Sequence, residues 1–155
     1  MVDQSLNLQG ARWHALLPLY VATIFLSAFL LFSIQPLFTK MALPIVGGAP
    51  SVWSVAMVFF QTSLLAGYLY AHLLTRHLGL ARAGMVHLVV TASAFSALPI
   101  AIASGWSGPL PAGWQPFWLL GLFTVSLGLP FFAVAANGPL LQAWFARSNH
   151  PTSKD

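Results

Sequence analysis

Polar positions divide the chain into four long apolar stretches. They run from about Ala15 to Gln35, Ser51 to Leu74, Gly84 to Ser104 and Gln115 to Ala136, and none contains Asp, Glu, Lys or Arg. A spanning helix needs about 20 mostly apolar residues, so each stretch predicts a transmembrane helix. The breaks carry turn chemistry. Gln35-Pro36 ends the first stretch, because proline disfavours helix in the residue before it. Pro44, Gly47, Gly48 and Pro50 predict a loop, with Ser51 as N-cap of the second helix. Arg76, His77, Gly79 and Arg82 mark a short polar turn, and Gly105, Gly108, Pro109, Pro111 and Gly113 an uncharged loop. Pro130 predicts a kink inside the fourth span. After Asn137-Gly138-Pro139 the segment 139–147 either continues that span or lies along the interface, and the polar tail from Ser148 predicts fraying.

Charge gives these spans an orientation. Four crossings put both termini on one side, which holds Arg12, Arg76, Arg82, Arg147 and Lys154, while Lys40 alone falls on the other. The positive-inside rule therefore predicts cytoplasmic termini. The tryptophans agree. Trp13 and Trp144 sit near the inner ends and Trp53, Trp106, Trp114 and Trp118 near the outer ends, where an indole buries its ring and keeps its N–H wet. Trp13, Trp53, Trp114 and Trp144 are thus expected as interface anchors. The result is one all-α domain over residues 1–155: a polytopic helix bundle of about four spans, with the lipid bilayer as its first partner.

Composition changes the picture mainly by exclusion. Of 155 residues, 58% are hydrophobic and 5% charged, against about 25% charged in a soluble domain. Mean hydropathy is +0.81, and the formal net charge is +4. The two acids, Asp3 and Asp155, stand near the ends, with no carboxylate between them. That removes paired-carboxylate catalysis, carboxylate metal cages and Asp/Glu proton relays from everything in between. Without cysteine there is no thiolate metal site or cysteine nucleophile, and the histidines lack ligand spacing, so no metal or cofactor is expected. Phosphate-binding glycine motifs are missing and the basic residues are scattered, which argues against nucleotide and nucleic-acid binding.

A few polar side chains remain inside the spans. Gln61, near the middle of the second, is read as an interhelical hydrogen bond or as a contact for a bound solute. Tyr68 and His72 share a helix face at i, i+4 and either reach the cytoplasmic interface or line an inner mouth. Gln35 closes the outer end of the first span. Together Gln35, Gln61, Tyr68 and His72 are the candidate polar contacts of the bundle. His72 and His87 are the histidines inside or bordering spans, so intrinsic proton coupling would have to use them. Ser93, Ala97 and Ala101 recur every fourth position in the third span and predict a small-residue packing ridge.

Several blocks together resemble one bacterial family. They are Phe29-Leu30-Leu31-Phe32-Ser33-Ile34-Gln35-Pro36-Leu37, Gly47 to Trp53, Phe59-Phe60-Gln61, Leu64-Leu65-Ala66-Gly67-Tyr68, Tyr70-Ala71-His72, Leu129-Pro130-Phe131-Phe132 and Gly138 to Arg147. They resemble the N-terminal membrane part of fused major-facilitator-like/spermidine-synthase-like proteins, over about Phe25 to Asp155. The resemblance implies further membrane helices and a Rossmann-like, aminopropyltransferase-like domain as partner, encoded separately or lost by truncation. Its catalytic residues would belong to that domain. The turn from Gly67 to Arg82 also resembles a degraded major-facilitator signature, with Leu74 or Thr75 where the acidic residue would stand. The expected function is a bacterial inner-membrane module that anchors and recognises a solute, with no enzyme activity of its own. The alternatives are an oligomeric small-solute transporter and a small structural subunit of a larger membrane complex.

Overall fold

The structure, a computed structural model, describes residues 2–147 except 107, 109, 110 and 112, with side chains from Leu16 onward. The side chains of Arg12 and Trp13, and the tail with Lys154, lie outside the described residues. Among the described residues all regular structure is helical. Helix α1 is Val2–Val46, α2 is Pro50–His77, α3 is Leu80–Phe95, α4 is Gln115–Phe123, and a π-helical turn Thr124–Gly128 joins α4 to α5, Leu129–Ala146. Among the described residues, three apolar helical stretches are long enough to cross a membrane: Leu16–Val46, Pro50–His77 and the joined Gln115–Ala146.

Helix α1 runs past its expected end. It continues through Pro36 and Pro44 and stops at Val46. Each proline costs one backbone hydrogen bond, yet an apolar surrounding offers no water to compete for the remaining ones, so the helix persists. It ends where Gly47 takes φ 77° and donates its N–H to Leu43 O at 2.8 Å, a left-handed cap suited to glycine. Phe38, Thr39 and Ala42, expected in or near a loop, are instead buried in the bundle. Helix α2 starts two residues earlier than a Ser51 N-cap implies: Ala49 is the N-cap, with Pro50 in the first turn and Ser51 inside the helix.

Helix α3 departs furthest from expectation. It spans 16 residues, about 24 Å, and ends at Phe95 rather than near Ser104. Pro99 disfavours continuation, since it removes helical geometry from Leu98 and a donor from the next turn. Ser96 caps the end, its N–H and its Oγ both donating to Ser93 O. The following irregular segment folds back onto the bundle. Ile100, Ile102 and Trp106 pack on the core, and the Ala103 N–H donates to Ser126 Oγ at 3.0 Å. Gly121 makes room for this, since a Cβ there would overlap the Trp106 ring.

Around Pro130 the fourth stretch changes pitch rather than breaking. Pro130 cannot donate to Ser126 O, and the wide π turn Thr124–Gly128 lies immediately before it. Beyond it, α5 passes straight through Asn137-Gly138-Pro139 to Ala146. The segment 139–147 therefore continues the helix and is not a separate interfacial one.

Two clusters hold the helices together. Outer denotes the end of the bundle at Val46 and Pro50, and inner the end at His77 and Leu80. The outer one is aromatic. Phe38, Phe59, Phe60, Phe123 and Phe131 are buried together, with ring centroids 5.1 Å apart for Phe38–Phe123 and 5.0 Å for Phe60–Phe131. Such pairs add about 0.5–1.5 kcal/mol each beyond area burial. The inner cluster joins Ala71, Leu74, Ala83, Ala136 and Leu140. Close approach occurs where α2 crosses α5. A Cβ on Gly67 would sit 3.0 Å from Ala135 Cβ and 3.1 Å from the Ala136 backbone nitrogen. Small residues thus do bring helices together, but at Gly67, Ala71, Ala135 and Ala136. Of the expected ridge, Ser93 is exposed, while Ala97 and Ala101 lie beyond the end of α3 and share no helical face with it.

Candidate functional site

Helices α1 and α2 both pack on the α4–α5 helix, and two grooves are lined by residues of both. The inner groove has a volume of about 400 Å³ and is lined by Ser27, Ala28 and Leu31 of α1, Tyr68 of α2, and Ala135, Gly138, Pro139 and Gln142 of α5, among others. The outer groove, about 200 Å³, is lined by Gln35, Pro36 and Thr39 of α1 and by Trp53, Ala56, Met57 and Phe60 of α2. Neither lining contains a charged side chain.

Ser27, which lines the inner groove, is tied to both α5 and its own helix by hydrogen bonds. Asn137 Nδ2 donates to Ser27 Oγ at 2.8 Å. Ser27 Oγ donates to Thr23 O at 2.8 Å, and Thr23 Oγ1 donates to Leu19 O at 2.7 Å. This ties α1 to α5 across 110 residues of sequence. Ser27 is buried, so the amide finds its partner inside the bundle rather than in lipid. Pro139 adds an acceptor. Lacking an N–H, it leaves the Ala135 carbonyl without its helical donor, and both residues line the groove.

The four expected polar contacts do not converge. Gln35 lines the outer groove and Tyr68 the inner one. Gln61 lies between them along α2 and is exposed, and His72, one turn beyond Tyr68, is exposed as well. The groove's most direct polar contact, Ser27–Asn137, was not among them. Its trace in the sequence is a polar residue in each of two apolar stretches, one of them disguised by the turn-like run Asn137-Gly138-Pro139.

The expected anchors divide. Trp114 is exposed and stacks near Phe117 at 5.7 Å between centroids, and Trp53 is exposed beside the outer groove. Trp144 differs: its ring lies against Gly84 and its indole N–H is enclosed without a partner, which is not the geometry of an anchor reaching for water. Near it, Arg147 Nη2 donates to Thr75 O at 2.7 Å, placing a cation at the carbonyl end of α2, where the helix dipole favours it. Among the described residues, no three metal-ligating side chains gather in one place.

Compared with known proteins, the chain matches no family model, no curated protein and no solved structure.

Proposed function

We propose that the chain is a multi-pass module of a bacterial cytoplasmic membrane that anchors a larger assembly and recognises a small solute in the α1–α2 groove. In this reading it crosses four times with both termini inside, α3 and the segment packed back on the bundle forming the third crossing. The basic residues support that orientation. The motif blocks support a relation to the membrane part of fused major-facilitator-like/spermidine-synthase-like proteins, and hence further membrane helices or a synthase-like domain as partner. The module itself supplies no general acid, base or nucleophile set. One observation carries the solute reading: the inner groove is lined by Ser27, Tyr68 and Gln142 in an otherwise apolar bundle, and Ser27 is bonded to Asn137.

Cysteine accessibility tests it, because the chain has no native cysteine. Neighbouring residues on α1 and α2 give depth-matched pairs. Tyr68 lines the groove and Leu69 does not; Leu31 lines it and Phe32, 74% exposed, does not. In reconstituted protein, Tyr68→Cys and Leu31→Cys should react with a water-soluble methanethiosulfonate at least about tenfold faster than Leu69→Cys and Phe32→Cys, as expected for a wetted polar groove against a lipid-facing surface. Equal rates within each pair would refute a solute path.

A second reading, an oligomeric transporter, draws on Gln61. This amide is exposed on α2, and an amide facing lipid gains from a partner helix.

A further inference from the structure

Among the described residues, one face of helix α2 is covered by nothing. Ser54, Met57, Gln61, Leu65, Tyr68 and His72 follow one another at steps of three or four residues, so they form a single stripe along the helix. All six are exposed. Met57 lines the outer groove and Tyr68 the inner one, so the stripe passes along the edges of both. Gln61 stands between them, about 17 Å of helix from Pro50 and about 24 Å from His77. From there its amide reaches neither end of the span.

Elsewhere in the spans polar side chains find partners. Thr23, Ser27, Thr39 and Thr124 donate to carbonyls of their own helices, and Asn137 donates to Ser27. The Gln61 amide has no partner among the described residues. Hydrocarbon offers none either, so this group is costly where it stands until another polar group meets it.

The membrane limits what that group can be. Copies of one chain inserted in the same sense pair about an axis along the membrane normal, so residues of equal depth meet across it. A side-chain amide is its own complement: each carries a carbonyl acceptor and an NH2 donor, and two of them close two reciprocal hydrogen bonds. The rest of the stripe suits the same contact, since it holds no Lys, Arg, Asp or Glu.

We propose that α2 pairs with α2 of a second copy of this chain, Gln61 bonding to Gln61 across a two-fold axis. Met57 and Tyr68 belong to the groove linings as well, so the second copy stands against the edge of each groove. The pairing rests on the oligomer reading above and gives it a surface and a symmetry, but it does not require transport.

Single cysteines report it, because the chain has none of its own. Leu65 lies on the stripe. Its neighbour Ala66 is also exposed and at the same depth, but lines a different groove with Leu120 and Thr124. In native membranes and in proteoliposomes, copper-phenanthroline oxidation should trap Leu65→Cys as a disulfide-linked dimer at least about tenfold faster than Ala66→Cys, because a disulfide forms only at short Cα separations. On the Leu65→Cys background, dilution into lipid should show that Gln61→Leu raises the dissociation constant about tenfold. Gln61→Asn keeps the amide and should pair close to the parent. Equal trapping at Leu65→Cys and Ala66→Cys overturns the pairing, as does a Gln61→Leu protein that pairs as tightly as the parent. Leu65→Cys linked to a different membrane protein, with no self-linked dimer in proteoliposomes, gives the face to another occupant and overturns it too. The transporter reading is separable: a trapped dimer without solute uptake ends that reading and leaves the pairing intact, and uptake without a dimer does the reverse.

Discussion

The residue with the largest reach in this bundle is Asn137. Its side chain bonds to Ser27 on a helix more than a hundred positions earlier, joining α1 to α5 beside the inner groove, which Ser27 lines. Interhelical bonds of this kind contribute about 0.6–2 kcal/mol in membranes, less than a buried amide would suggest, because the unfolded chain in lipid also finds partners. Asn137→Leu should therefore destabilise the protein by about 1 kcal/mol in reversible denaturation from mixed micelles, while Ser27→Ala combined with it should add little. Additive losses would mean that the two side chains act separately. Gln61 shows the opposite case. Its position in mid-span suggested a bundle contact, yet it turns outward. Polarity alone in a sequence says that an amide needs a partner; which side of the helix holds that partner depends on packing.

At the scale of elements, the positions of the long apolar helices were legible because hydrophobic length is what a membrane selects. Their ends were less so, and proline explains both kinds of error. Pro36 looked like a stop and is a helix-interior residue of α1, held by the bonds around it and by the burial of Phe38 and Thr39. Pro99 lay unremarked inside an expected span and stands just beyond the end of α3. Proline's missing donor is common to both places and does not by itself decide the outcome. The difference lies in what the next residues pack against. After Pro99 they dock outside the helix, with Trp106 seated where Gly121 has no side chain. Gly121→Ala should unseat Trp106 and free the segment from Ser96 to Trp114. The expected readout is protease cleavage confined to that segment in detergent, with α2 and α5 intact. Unchanged resistance would show that Trp106 does not depend on the space at Gly121. Small-residue packing was also legible in kind but not in place. Ser93, Ala97 and Ala101 have the right spacing on paper, while the contact forms at Gly67 and Ala135, because a spacing rule cannot tell which helix passes nearby.

For the whole molecule, two levels of organisation meet. An aromatic cluster closes the outer half and a smaller aliphatic one the inner half, with the Ser27–Asn137 bond beside the inner groove. Among the described residues the charged side chains are exposed and lie toward helix ends: Arg76 near the end of α2, Arg82 near the start of α3, Arg147 just past α5 and Lys40 in the last two turns of α1. The grooves were not readable from the sequence, since they arise from how far α1 and α2 stand apart. The central claim is that these helices cross a membrane with the basic turn inside, and α2 gives its most direct test. Gly48 and Gly79 flank that helix, and a side chain at either meets nothing within 4 Å. In intact cells, a membrane-impermeant maleimide should label Gly48→Cys at once and Gly79→Cys only after permeabilisation. Labelling of both from the same side would contradict a spanning α2, and labelling of Gly79→Cys alone would reverse the orientation.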